Sequence, residues 1–301
     1  MKRRILTASN ITLYLMFLPV IAFYIVFHYV PMAGISISFM DFRASGFKGW
    51  VGFENFEFIF NLPFFWRAFR NTISFTALNY LLGFPAPIIL ALMLNEIRIK
   101  AFKKTVQTVS VMPHFISWIV VSGLFMSLLS PTSGYVNDII KFFGGQPVYF
   151  FAKADWFQPL VTLIRVWKGV GYSTIIYLAA LSGVDQELYE AAVIDGAGRW
   201  KQTVFITLPA IKPVILVVFV LSFSGVLNLF EPVYVFLNQN FTPVRSVGEV
   251  LDTYVYTNGI VQGKSPISTA VGLFKSVISM ALVLFTNLVS KRLTEDGSAV
   301  I

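Results

Sequence analysis

Residues 11–36 read ITLYLMFLPVIAFYIVFHYVPMAGIS, and the stretch from Ile5 to Met40 contains no Asp, Glu, Lys or Arg. A helix crossing a bilayer core needs roughly 20 consecutive apolar residues, and this run is longer than that. Asn71 to Asn95 and Thr105 to Asn137 are equally free of charge. One such run fits a buried helix of a soluble protein. Several in one chain fit a membrane. Composition agrees: 56% of the 301 residues are hydrophobic and 13% are charged, where soluble domains carry about a quarter charged residues. Mean hydropathy is +0.72.

Working outward, six spans are expected, near 11–36, 71–95, 107–129, 158–182, 209–236 and 267–290. Pro31 should disturb the outer end of the first. Pro85 and Pro87 should kink the second. Pro131-Thr132-Ser133-Gly134 is a turn signal that closes the third. The fifth is expected to start near Pro209 and to end near Phe236. Lys2-Arg3-Arg4 ahead of the first run resembles a signal peptide. The apolar stretch is too long for one, and no clear cleavage site follows, so it reads as an uncleaved span.

An even number of spans puts both termini on one side, and the excess of Lys and Arg marks the cytoplasmic side. Lys2, Arg3, Arg4, Arg98, Lys100, Lys103, Lys104, Arg199, Lys201, Lys212, Lys291 and Arg292 fall together if both termini are cytoplasmic. The net charge of +8 therefore reports topology. It does not form a basic face interleaved with aromatics, and nucleic acid is not an expected partner. Cysteine is absent, which excludes disulfides and thiolate chemistry. The two histidines, His28 and His114, are far apart in apolar sequence, and no metal site is expected.

One expected inner loop, 183–212, is unusually long. Asp185 is a good N-cap, and Glu187 and Glu190 sit in the first turns, where carboxylates suit the helix dipole. Leu188, Ala191 and Ala192 share a face. Gly196 or Gly198 would end the helix. A second short helix from Arg199 to Ile206 would lead to Leu208-Pro209 and the fifth span. Such a surface helix is either merely solvated or a docking element for a cytoplasmic partner.

The string Glu190-Ala191-Ala192, three residues, Gly196, nine residues, Ile206-Thr207-Leu208-Pro209 resembles the EAA loop of binding-protein-dependent ABC importer permeases. Trp167-Lys168-Gly169-Val170-Gly171-Tyr172 and Leu178-Ala179-Ala180-Leu181 resemble the carbohydrate-uptake branch of that family. Phe27-His28-Tyr29-Val30-Pro31-Met32, Leu251 to Tyr256 and Ala270 to Ser276 are similar to its polysaccharide and complex-oligosaccharide permeases, the alginate importers included.

The resemblance implies an all-α integral membrane fold of the type I ABC importer permease kind: six transmembrane helices with a cytoplasmic coupling-helix loop, in a bacterial inner membrane. It implies a second permease subunit, giving a heterodimer, an ATPase dimer beneath, an extracytoplasmic sugar-binding protein and a carbohydrate substrate, all within membrane lipid. The helix near 186–196 would dock into a cleft of one ATPase. Glu190, Ala191, Ala192, Asp195, Gly196, Ile206, Leu208 and Pro209 would couple the two. ATP and Mg would be used by the ATPase, with no cofactor bound by this chain and no catalytic residue of its own. Consistently, the nearest P-loop candidate, Gly259 to Ser265, is one residue short of Gly-x4-Gly-Lys-Ser.

Polar residues in or near spans are the default candidates for a substrate path. They are Arg165, Trp167 and Lys168 at the fourth span, Asn228, Glu231 and Tyr234 at the fifth, and Lys275 in the sixth. Each also has a bland reading, in which the cations snorkel to the interface and Trp167 anchors there. A secondary transporter is the competing function. It should show acidic residues at the bilayer centre and internal repeats; none of the first four spans contains an acidic residue, and no clear repeat is visible. A membrane enzyme would need a histidine-rich or serine-centred cluster, which is also missing from the sequence. A scaffold without transport would leave the polar residues of the last three spans unused.

Overall fold

The structure, a computed structural model, describes residues 8–43, 46–239 and 244–293. Lys2, Arg3 and Arg4 lie outside the described residues. Internal contacts divide the chain into two units, one ending at Leu62 and including Val255–Phe274, the other comprising Pro63–Tyr254 and the residues from Lys275 on.

The first unit begins with α1, Thr12–Phe39, a helix none of whose most apolar window is buried. A helix that is apolar all round and uncovered is suited to lipid or a partner chain. Its bonding slips to a π turn at Ile25–Tyr29, where Val30 N–H donates to Ile25 O, just ahead of Pro31. A widened turn re-phases the helix and relieves the clash a proline makes with the carbonyl four residues back. α1 leads to a hairpin, β1 (Met40–Arg43) and β2 (Gly46–Trp50), with a bulge between Asp41 and Phe42. This hairpin holds the only strands among the described residues. Helix α2, Glu54–Phe60, is tied to it: Asn55 Nδ2 donates to Ser38 O at 2.9 Å and Met40 O at 3.0 Å.

The second unit contains α3 (Pro63–Glu96), α4 (Lys100–Phe115), α5 (Trp118–Leu128), α6 (Tyr135–Phe142) and α7 (Ala154–Ser182). Then follow α8 (Gln186–Ile194), α9 (Arg199–Gly225), α10 (Phe230–Gln239), α11 (Arg245–Gly248) and α12 (Leu251–Tyr256). The last helix is α13, Ser265–Arg292, whose residues up to Phe274 are counted in the first unit and the rest in the second. α1, α3, α9 and α13 are each long and apolar enough to cross a membrane. α4 and α5 pass the same test only as a pair, and α7 is long enough, about 43 Å at 1.5 Å per residue, but carries Arg165 and Lys168.

Three expectations need correction. The run at 107–129 is not one straight helix: α4 and α5 meet at 105°. Pro113 sits in a tightened 3₁₀ turn, Met112–Phe115, and Ser117 caps the new helix by accepting from Val120 N–H. The segment Arg199–Ile206 is not a separate helix before a span that starts near Pro209. It is the first part of α9, continuous through a π turn at Thr203–Thr207. As at Pro31, the π turn lies just ahead of the proline, so Pro209 is absorbed without a break. Nor does that helix reach Phe236; it ends at Gly225, and α10 restarts at Phe230.

α7 is the hub of this unit, with α3, α4 and α9 packed along it. The backbone of α4 comes so close that a Cβ on Gly171 would lie 2.0 Å from Ser110 O. Thr174 donates to Pro87 O at 3.2 Å, bridging α7 to α3 beside its proline pair. One apolar cluster gathers Phe75, Val121, Phe157, Ile164, Val233 and Phe236. A second gathers Ala91, Tyr177, Leu181, Val184 and Ile211. The loop around α6 is organised by buried Asn137, whose Nδ2 donates to Leu129 O, Ser130 O and Val148 O and whose Oδ1 accepts from Val148 N–H.

Candidate functional site

The loop after α7 folds by local rules. Asp185 Oδ1 accepts from Glu187 N–H at 3.0 Å and caps α8. At the other end Gly196 has φ +75, the left-handed conformation that glycine enters without penalty. Ala197 N–H donates to Ala192 O at 2.8 Å and Gly196 N–H to Val193 O at 3.0 Å, the bonding of a Schellman end. α8 is therefore a short rigid cylinder with defined ends, closing two residues earlier than the expected 196.

Tyr189 anchors α8 to the helices behind it. The Tyr189 hydroxyl lies 2.9 Å from Thr207 Oγ1, and Tyr189 and Ile206 pack against the Ala91–Tyr177–Ile211 cluster. Arg199 pairs with Glu96 at the end of α3, an exposed contact of about 0–1 kcal/mol. The opposite face is uncovered. Glu190 and Ala191 are exposed and Ala192 is half-buried. Leu188, Val193 and Ile194 are exposed apolar residues, Ile194 at 86%. Asp195 is exposed, as is Pro209, while Leu208 is half-buried in the first turns of α9 beyond the π turn. Glu190 belongs to no ion pair among the described residues.

The seven polar candidates do not converge. Lys168 donates from Nζ to His114 O at 2.6 Å and lies over the Trp118 ring. It thus satisfies a carbonyl at the α4–α5 bend, and the His114 ring stacks on Tyr172 at 4.0 Å. Trp167 packs edge-on against Phe125. Lys275 pairs with Asp252 and donates to Asn228 Oδ1 at 2.9 Å, while Asp252 Oδ2 accepts from Leu229 N–H at 2.7 Å. This network holds the interruption between α9 and α10. Glu231 is exposed, and Tyr234 stacks on Phe230.

Breaking an ion pair as enclosed as Lys275–Asp252 leaves an uncompensated charge. Lys275→Met is expected to cost roughly 3 kcal/mol, read as a lower thermal midpoint in detergent. Asp252→Asn in the same chain should recover part of the loss, because an amide oxygen can still accept from Leu229 N–H. A double variant with additive losses would contradict the network.

Arg165 lines a cavity. The cavity holds about 220 Å³ and is bounded by Asn79, Tyr80 and Phe84 of α3, Arg165, Ser173 and Tyr177 of α7, and Ser222 of α9. The Tyr80 hydroxyl lies 2.7 Å from Ser222 Oγ. Asn79, Tyr80, Ser173 and Ser222 were not singled out in the sequence. The available signal was weak: single polar residues at helical spacing within apolar runs. Also unforeseen is Glu249, buried at 5% exposure and bonded to Arg67 and Arg245.

Helices long and apolar enough to cross a membrane, a capped surface helix with a bare face and a polar cavity between helices occur together in this chain. The family model for the binding-protein-dependent transport system inner membrane component matches residues 83–295, and this chain belongs to that family. It is 47% identical over 289 residues to the polygalacturonan/rhamnogalacturonan transport system permease protein YteP of Bacillus subtilis (strain 168), covering 95% of this chain and 89% of that one. It is 43% identical to Protein LplB of the same organism, covering 95% and 90%. Among solved structures it is similar to a chain of a bacterial alginate ABC transporter in complex with an alginate pentasaccharide-bound periplasmic protein. That match has TM-score 0.89 and 37% identity, covering 95% of this chain and 96% of the other.

Proposed function

We propose that this chain is the membrane-spanning permease subunit of an ATP-driven importer, lining half of the pathway for an oligosaccharide or polysaccharide fragment. The observation that carries the reading is α8: a helix fixed at both ends, anchored on one side, and bare on the side that bears Glu190. Membership of the family supports it, as do the saccharide-transport relatives. In this reading the chain crosses the membrane six times with both termini cytoplasmic, which would put α8 on the cytoplasmic side; four helices and one bent pair long and apolar enough to cross support it.

In this reading a second permease completes the pathway, and an ATPase dimer, which uses the ATP and Mg, sits against α8 and its counterpart. An extracytoplasmic binding protein delivers the sugar. ATPase closure pushes α8, and Tyr189 and Ile206 pass the displacement to α3, α7 and α9 through the cluster behind them. The chain then needs different contacts in two states, and no catalytic group. Glu190 supplies a charge-assisted bond to a cation of the ATPase.

The test is uptake of a labelled oligosaccharide into proteoliposomes holding the assembled complex, with binding protein outside and ATP inside. Uptake should require ATP and survive collapse of proton and sodium gradients. Uptake that follows an ion gradient without ATP would make this a secondary transporter. Glu190→Ala should lower substrate-stimulated ATP hydrolysis about tenfold, the equivalent of one lost charged hydrogen bond. Unchanged stimulation would remove Glu190 from the coupling contact. If the binding protein took up monosaccharides only, the substrate would be smaller than proposed while the importer reading stood.

A further inference from the structure

Arg165 lies about 17 Å along α7, well inside the helix. Its Nη1 is enclosed and has no hydrogen-bond partner, and none of the described ion pairs includes Arg165. A guanidinium stays charged at any working pH, and enclosing it without an anion is costly. No acidic side chain among the described residues lines its cavity. The charge is left facing a space that another molecule can enter.

That space is selective. At about 220 Å³ it exceeds what a few waters occupy at about 30 Å³ each, and it falls below the roughly 300–1,000 Å³ of whole-ligand pockets. It suits one residue of a chain. Tyr80, Phe84 and Tyr177 contribute aromatic rings to its wall, and Asn79, Ser173 and Ser222 contribute amide and hydroxyl groups. The planar guanidinium fork matches a carboxylate better than any other common anion-binding side chain does. A neutral sugar would leave the guanidinium without a counterion.

We infer that the cavity is a subsite for a carboxylate-bearing sugar residue, a uronate, with Arg165 as its carboxylate ligand. The inference rests on the sugar-importer reading and narrows it. The substrate is an acidic saccharide, and each uronate passing this point replaces the missing counterion.

The experiment has two parts. In the first, proteoliposomes carrying the whole complex receive a series of oligogalacturonates and the same oligosaccharides with their carboxyl groups reduced to hydroxymethyl. The wild type should take up the acidic series. Arg165→Gln should lower that uptake by about tenfold to a hundredfold, the effect of losing one charge-paired contact, and leave any uptake of the reduced series unchanged. Equal loss of both series would make Arg165 a structural residue and overturn the inference. Uptake of reduced sugars alone would also overturn it, with the importer reading intact. Uptake of neither series, with no stimulation of ATP hydrolysis by any saccharide, would count against the importer reading itself.

The second part needs no transport. The chain has no cysteine, so Ser173→Cys introduces a single thiol at the cavity wall. An anionic methanethiosulfonate should label it faster than a cationic one, and Arg165→Gln should abolish that preference. Equal rates with Arg165 present would show that the guanidinium does not govern the cavity, and the inference would fail whatever the transport result.

Discussion

Gly196→Pro is expected to abolish substrate-stimulated ATP hydrolysis while the chain still assembles. Gly196 sits at φ +75, and proline is held near −65°. Its N–H donates to Val193 O, a bond proline cannot make, and the turn it forms lets Ala197 N–H reach Ala192 O. Proline therefore unwinds the end of α8 and redirects the chain into α9. The damage is local, because the clusters behind α8 do not depend on that turn. Gly196→Ala is the graded control. It forces a Cβ into the left-handed region at a cost of about 1–2 kcal/mol, in otherwise open space, and should retain most of the stimulation. Stimulated hydrolysis by the proline variant at the wild-type rate would dissociate the geometry of α8 from coupling.

Gly171→Leu should have the largest effect on stability. A Cβ at this position would lie 2.0 Å from Ser110 O, 2.2 Å from Ser110 C and 2.7 Å from Val111 N. These are backbone atoms of α4, so no side chain can swing aside. The two helices must separate, losing their mutual packing and with it the alignment of Lys168 with the His114 carbonyl. A loss of about 4 kcal/mol or more is expected, in the range reserved for severe overpacking. At about 2–4 °C per kcal/mol for a chain of this size, the thermal midpoint in detergent should fall by about 10 °C or more, with most protein leaving the monodisperse fraction. Gly169→Ala, two residues away with nothing within 4 Å of its Cβ, should change little. Similar behaviour of the two variants would show that α4 and α7 do not approach as described.

What was legible in the sequence follows the range of the interaction responsible. Apolar runs are visible because lipid solvation acts on each residue through its own composition. The ends of α8 are visible because Asp185 and Gly196 act on backbone groups one to four residues away. The interruption at the α4–α5 bend was not read. Pro113 signalled it only weakly, and the bend is held by Lys168, 54 positions along the chain. The break between α9 and α10 is likewise set by Asp252, 23 positions from Leu229. Pro209 misled in the other direction: proline is a reliable helix boundary only where the preceding turn keeps α bonding, and here a π turn absorbs it.

The site shows the same division. The EAA string was recognisable as a linear motif because a docking helix is built from contiguous residues. The cavity was not, because its walls come from α3, α7 and α9 and each contributes one or two polar residues to an apolar helix. Lys168, Asn228 and Lys275 share with Arg165 the mark of a polar group in an apolar run. Only the structure separates the three engaged in internal bonds from Arg165, which lines a cavity and whose enclosed Nη1 has no partner.

The central claim is that this chain works as one part of an assembly fuelled elsewhere. The most direct measurement is the composition and stoichiometry of what is recovered with it after mild detergent extraction from its own membrane. The account predicts one second permease chain and two copies of an ATPase for each copy of this chain, with the ATPase lost selectively when α8 is disrupted. Recovery of this chain alone, as a stable particle that moves saccharide down an ion gradient, would contradict it.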